Sequence, residues 1–531
     1  MACSYTYVPY KDTGFFSRLA IDYLSNHPDT HSFYHFSPDP EGLKRAIAER
    51  AKYSVNRKAL VAALNKQYTN FTKYSKTEEN IQSLLDENTF TVCTAHQPNL
   101  LTGYLYFMYK ILHAIKLAEQ LNEEYPGKHF VPVYYMGSED NDLEELGTFR
   151  FRDSKFRWDG NGQAGAVGRM NTKGLKPLLN ELLKLFGPPG KNCDELEKLL
   201  TTSYLKHNTI AEATHYLVNE LFGQYGLVVL NPDDATLKAE FIPVTEDELL
   251  HQHTYPIITD QIEKLGKNYK IQAHPRPLNL FYLSEQFRER IEKNGEKWTV
   301  INTDKEFTKS EILNELKKNP ERFSPNVMLR GLFQETILPN VAFIGGGAEV
   351  AYWLQLKTLF EHYKVFFPCI LLRQSVMWIK APQTKLRTQL EFSISDLFKP
   401  EQELIVDYIS KHASDEWKTD EEAQAIEAIF RSLAQKATSL DPTLKEGAAA
   451  ALTRMKYQLQ TLEKKMLRSE KKKMDIQMQR ISRLKNALFP NNSLQERVDN
   501  FAEYYLDNGR AFLGIIKDGI KPLAPDFLII E

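Results

Sequence analysis

TVCTAHQPNLLTGYLYFMYKILHAIKLA (Thr91–Ala118) and HFVPVYYMGSEDNDLEE (His129–Glu145) decide the fold. The first stretch begins as a β-branched strand, breaks at His96-Gln97-Pro98-Asn99, and resumes as a helix beginning near Thr102-Gly103. In that helix Met108, Ile111, Leu112, Ile115 and Ala118 repeat at helical spacing. The second stretch is a strand that empties into Ser138-Glu139-Asp140-Asn141-Asp142. Strand, amphipathic helix and strand make one βαβ unit. Both polar turns then fall beyond the carboxyl ends of strands, where open α/β sheets bind ligands.

The pattern recurs outward from this unit. Tyr225–Leu230 reads as a third strand ending in Asn231-Pro232-Asp233-Asp234, and Val341–Ile344 runs into Gly345-Gly346-Gly347, a helix over Ala348–Tyr363, and a further strand in FFPCILL. Helical segments over Ser17–Asn26, Glu41–Ala51 and Arg57–Gln67 form a lead-in. FRFRDSKFRW reads as an exposed strand, and QAHPRPLNLFY (Gln272–Tyr282) as extended. The expected class is α/β, with domains over 1–85 (helical lead-in), 86–385 (core with inserted connecting segments), 386–490 (helical arm) and 491–531 (a segment returning to the core).

In the arm, Leu452, Met455, Leu459, Leu462 and Met466 are spaced 3, 4, 3, 4, the seam of a coiled coil. The seam slips by four residues before Met474, Met478, Ile481 and Leu488, which predicts local unwinding near Glu470. A helical hairpin or dimer arm is expected; the alternative is one long helix packed on its own domain.

Composition excludes several classes of function. A chain of 531 residues with net charge -2 has no global attraction for nucleic acid or anionic membrane. The basic stretch Lys464–Lys485 lacks stacking aromatics and reads as a solvated flank. Four widely separated cysteines rule out CxxC-type metal or redox spacing. The start shows no signal-peptide pattern and no run of about 18 apolar residues occurs, so a cytoplasmic protein is expected.

Three clusters carry candidate chemistry. In the first, His96 and Lys110 flank the opening of the helix, where orphan amides favour a phosphate or carboxylate; Gln97, Asn99, Thr102 and Gly103 line the same turn. His96 and Gln97 satisfying the backbone of a tight Pro98 turn is the competing reading. In the second, Glu139, Asp140 and Asp142 crowd three carboxylates around Asn141, and repulsion calls for a positive partner: an amine, Mg²⁺, or Arg or Lys from another segment. A solvated turn with Asp142 as N-cap is the alternative. In the third, Gly345, Gly346 and Gly347 permit close approach of a ligand. Glu349 in the next turn disfavours phosphate and favours hydroxyls, an amine or a sugar; Tyr352 lies on the same helix, and Arg330, Gln334 and Arg373 flank the turn, the two arginines read either as donors to carboxylate or phosphate oxygens or as partners of a neighbouring acid. His251, His253 and His274 are set aside as a zinc site, because residues two apart on a helix do not face each other and no HExxH occurs.

Taken together these motifs resemble the BshC family, the cysteine ligases of bacillithiol synthesis, over nearly the whole chain. The marks are Phe15-Phe16-Ser17 with Asp22-Tyr23, the two opening stretches, NLFYL, SPNVMLRGLFQETILPNVAFIGGGAEVAYW and Gln495-Glu496-Arg497. The family's HQPGLFTGPLY reads HQPNLLTGYLY here and its GEDHD ends in Asn141-Asp142, which removes a histidine from that loop. The resemblance implies a Rossmann-like parallel-sheet core and a C-terminal coiled coil supporting a homodimer. It also implies addition of L-cysteine to glucosaminyl malate, with ATP or ADP as nucleotide and Mg²⁺ as its companion. The clusters above give His96, Lys110, Glu139, Asp140 and Asp142 as the candidate catalytic set, with no metal site beyond Mg²⁺ accompanying the nucleotide. A nucleotidylyltransferase-like enzyme acting on another acid, and a non-catalytic nucleotide-binding scaffold acting through its coiled coil, are the alternatives.

Overall fold

The computed structural model describes residues 3–412 and 418–531. The chain forms two units, one running to Met377 and including Ser493–Ile530, the other Trp378–Asn492 with Glu531.

The first unit is built on a five-stranded sheet: β1 (Thr89–His96), β2 (His129–Met136), β3 (Val228–Leu230), β4 (Asn340–Gly345) and β5 (Cys369–Leu372). Their order is β5-β4-β1-β2-β3, with every pairing parallel. These strands are buried almost throughout, which is why they read as near-continuous apolar runs rather than alternating ones. The helix Tyr106–Glu124 connects β1 to β2; near its end Asn122 brackets Phe130, donating to its carbonyl at 2.9 Å and accepting its N–H at 2.8 Å. Leu43, Ala46 and Ile47 of the lead-in helix Pro40–Arg50 join Phe90, Val92, Leu117, Phe130 and Val341 in one core. Each fully buried large side chain contributes about 1.5–3 kcal/mol, so this packing outweighs helix propensity.

From β1 the chain steps outward through β2 to β3, then re-enters on the other side of β1 as β4 and steps to β5. The order therefore reverses between β1 and β4, and the crevice beyond those two strand ends is the ligand position of doubly wound sheets.

Two features differ from the sequence reading. FRFRDSKFRW is not one strand but an antiparallel pair, Thr148–Phe151 with Ser154–Arg157, turned at Arg152 with φ 52°. The extended region near Tyr282 belongs to a second, antiparallel sheet, in the order Glu306–Thr308, Lys297–Val300, Arg288–Asn294, Leu280–Leu283, Phe323–Pro325. It escaped notice because Arg288–Asn294 buries only Ile291. Asn294-Gly295, with Gly295 at φ +61°, was the available hairpin signal. The chain closes on itself where Asp526–Ile530 pairs antiparallel with Tyr5–Pro9.

In the second unit, Asp420–Leu440 and Leu444–Lys473 form an antiparallel helical hairpin in which Lys456 meets Glu427 at 2.6 Å and Thr419 meets Glu463 at 3.2 Å. Leu452, Leu459 and Met466 of the seam are half-buried, whereas Met455 and Leu462 stay 44% and 51% exposed, so the partner helix covers one flank of the seam. The expected loosening near Glu470 falls instead at Met474 (φ −114°, ψ 26°). The slip is absorbed there, immediately before the helix Asp475–Leu488 anchors itself through buried Ile481, Leu484 and Leu488. Among the described residues no helix is long and apolar enough to cross a membrane.

Candidate functional site

The turns that leave β1, β2 and β4 converge on one cleft of 840 Å³ at the reversal point. His96 and Gln97 come from the first turn, Glu139 and Asp140 from the second, and Gly346, Gly347 and Glu349 from the third. Lys110, Arg330, Tyr352 and Arg373 also line it, with Phe281 and Arg288 of the antiparallel sheet.

His96 stands at the end of β1, its ring edge-on to Tyr106 at 5.3 Å and tilted against Phe107 at 5.3 Å. Its Nε2 is buried without a hydrogen-bond partner. Burial, reinforced by the Lys110 and Arg373 charges, holds the imidazole well below the ordinary histidine range, so the ring is neutral at physiological pH. Lys110, one turn into the following helix, donates to the Ala95 carbonyl at 3.0 Å and forms an ion pair with Glu349. Burial lowers its pKa while Glu349 opposes that fall. Glu349 also accepts the Gly346 N–H at 2.8 Å, so one carboxylate ties the β4 turn to the β1 crossover.

The carboxylate turn has found positive partners from distant segments. Glu139 is paired with buried Lys238, which also donates to the Phe323 carbonyl at 2.8 Å, and accepts from Ser324 at 3.1 Å. Gln97 donates to Asp140 at 3.1 Å. Arg288, its guanidinium 3.8 Å above the Phe281 ring, donates to Ser324 at 3.1 Å; burial lowers its pKa, with Glu139 and Asp140 opposing. Across the cleft Arg330 donates to Gln334 at 3.2 Å and to the Tyr352 hydroxyl at 2.5 Å, and lies over the Tyr135 ring at 5.6 Å. Arg373 forks onto Glu496 at 2.7 and 2.6 Å and faces Tyr106 at 5.4 Å.

Seven expected site residues lie outside the cleft wall. Leu101, Thr102 and Gly103 all have positive φ (49°, 63° and 68°), and the helix starts only at Tyr106. The Leu101 N–H is taken by the Tyr204 hydroxyl at 2.8 Å, and Asn500 donates to the Leu101 and Gly103 carbonyls at 2.9 and 2.5 Å. Asn99, Thr102 and Gly103 thus form a buried brace rather than an anion seat. Asp142 accepts the Glu145 N–H at 3.0 Å as N-cap of a short helix, and Asn141 accepts from Arg288 at 3.3 Å. Gln334 is buried, donating to Glu335 at 2.7 Å. At Gly345 an added Cβ would lie 2.9 Å from the Glu349 Cβ and 3.0 Å from the Phe343 ring, so this glycine serves strand–helix packing; at Gly347 the space is open.

Sequence reasoning missed Lys238, Arg288, Tyr106 and the role of Glu496. Nothing local signals that Glu496 meets Arg373, 123 residues away. His274, grouped with His251 and His253 on the sequence, lines this cleft instead. A neutral histidine with a spare ring nitrogen, arginines on several sides and carboxylates on one wall suit an anionic substrate that also carries an amine.

The family domain described as "Bacillithiol biosynthesis BshC, N-terminal Rossmann-like domain" matches residues 3–374, and that described as "Bacillithiol biosynthesis BshC, C-terminal coiled-coil domain" matches 376–531. Relatives carrying the name "Putative cysteine ligase BshC" include one from Flavobacterium psychrophilum, 42% identical over 527 residues, covering 99% of each chain. Another, from Flavobacterium johnsoniae, is 41% identical over 525 residues, covering 98% of this chain and 99% of the relative. One from Bacillus cereus is 25% identical over 527 residues, covering 96% of each.

Proposed function

The chain belongs to the BshC family, and from that premise we propose that it is a ligase of bacillithiol biosynthesis that joins L-cysteine to glucosaminyl malate through an amide bond. ATP supplies the activation of the cysteine carboxylate. The observation that supports this reading is the convergence of three strand-exit turns on one cleft whose wall includes neutral His96, its buried Nε2 without a hydrogen-bond partner.

The residues divide the work by charge. Arg330, half-buried and donating to the Tyr352 hydroxyl with Glu349 nearby, receives a carboxylate or phosphate oxygen. Exposed Arg276, Arg290 and Arg497 at the cleft suit the malate carboxylates. Asp140 holds the attacking amine or Mg²⁺, since Glu139 is already paired with Lys238. The amine nitrogen bonds to the activated carbonyl carbon, the activating phosphoryl group leaves with one carboxyl oxygen, and the amine gives up a proton. His96 is placed to accept that proton or to donate to the oxygen where charge develops. Rate enhancement then comes from orientation and fixed dipoles rather than from a protein nucleophile. The hairpin arm, with part of its seam exposed, joins two copies into a homodimer.

The protein supplied with ATP, Mg²⁺, cysteine and glucosaminyl malate is expected to yield the joined thiol, detected by mass spectrometry, together with free nucleotide. A stable nucleotide conjugate, or no product from folded protein, would overturn the reading.

A further inference from the structure

Away from the cleft, Asp247, His253 and His362 bring one carboxylate oxygen and two ring nitrogens within 4.8 Å of one another. On a single helix His251 and His253 would point apart. They do not: the helix Ile242–His251 ends at Gln252, which adopts φ 56°, ψ 36°, and this left-handed residue folds His253 back beside the helix. The two imidazoles stack with centroids 5.4 Å apart at 21°. His253 Nδ1 meets Asp247 Oδ2 at 2.9 Å, and His362, from the helix Lys357–Tyr363, lies 5.1 Å from the His253 ring centroid. Tyr363 donates to Asp247 Oδ2 at 2.8 Å, the kind of outer hydrogen bond that orients a ligating carboxylate.

We propose that Asp247, His253 and His362 form a binding site for a borderline divalent cation, Zn²⁺, Ni²⁺ or Co²⁺. Imidazole and carboxylate together are the ligand set these ions prefer. A tetrahedral ion at about 2.0 Å from each ligand places donors roughly 3.3 Å apart, within reach of small side-chain rotations from the observed spacing. The site joins the end of one helix to another about 110 residues later in the chain, and its occupation fastens the two.

The test uses the full-length protein stripped of metal and titrated with Zn²⁺ alone by calorimetry, and with Co²⁺ alone by visible absorption. The expected result is one equivalent bound, a Co²⁺ spectrum typical of nitrogen and oxygen ligation, and affinity at least 10-fold weaker in His253→Ala and in His362→Ala. Circular dichroism of both variants verifies that they fold; should one fail, Asp247→Asn replaces it. No binding by wild type, or binding that persists undiminished in the folded variants because it belongs to the cysteines, would overturn the proposal.

Discussion

Lys110 and Glu349 meet across the point where the strand order reverses, one on the helix after β1 and the other in the first turn after β4. The lysine side chain is 5% exposed and the glutamate 20%. The contact ties the helix after β1 to the helix after β4 in the wall of the crevice and pairs two opposite charges there.

Breaking this pair on one side leaves a buried charge without a partner. Glu349→Gln, which keeps an acceptor for the Gly346 N–H, is expected to lower stability by about 3 kcal/mol, as is Lys110→Met. The double variant removes both charges and recovers more than half of either loss. Urea denaturation of the four proteins measures the coupling; strictly additive losses would show that the two side chains do not depend on each other.

Gly347 sits in open space at the helix start, with φ outside the left-handed region. Gly347→Ala therefore leaves stability unchanged or raises it by up to about 1 kcal/mol, while its methyl group narrows the cleft and raises KM. Gly345→Ala behaves oppositely, losing stability through its clash with Glu349 and Phe343. Thermal melts and steady-state kinetics on the two variants separate packing from ligand contact.

Glu335 is fully buried, and desolvation pushes its carboxyl up to about 8. The folded state keeps a proton that the unfolded chain releases near the ordinary value of about 4.3. Its stabilising effect is thus complete below that value and is lost as pH rises toward 8. Relative to Glu335→Gln, wild type should lose about 1.4 kcal/mol per pH unit between pH 5 and 8. Denaturation curves at pH 5, 6.5 and 8 check the slope; a constant difference would mean that Glu335 is ionised throughout.

Much of the core was legible because parallel strands buried on both faces announce themselves as apolar runs ending in polar turns. β1, β2 and β4 and the helices after them follow from that signal alone. The antiparallel sheet was not legible, since Arg288–Asn294 buries a single residue and so lacks an apolar alternation. At the site, the cluster His96, Asp140, Gly347 and Glu349 could be guessed from strand-exit turns. Its partners could not: Lys238 lies 99 residues from Glu139, and Glu496 123 from Arg373. Asn99 to Gly103 misled for a local reason, because three successive positive φ values delay the helix and turn its expected anion seat into a brace held by Asn500. The histidine pair misled likewise, because one left-handed residue, Gln252, cancels the helical geometry on which the spacing rule depends.

Turnover of His96→Ala beside Asp142→Asn tests most directly whether the convergent cleft performs the ligation. His96 lines the cleft, whereas Asp142 caps a short helix and is not part of the lining. The expected result is a loss of roughly 10²-fold in product formation for folded His96→Ala, with Asp142→Asn within about two-fold of wild type because asparagine caps as well as aspartate. Wild-type turnover in His96→Ala, or an equal collapse in Asp142→Asn with its fold intact, would contradict it.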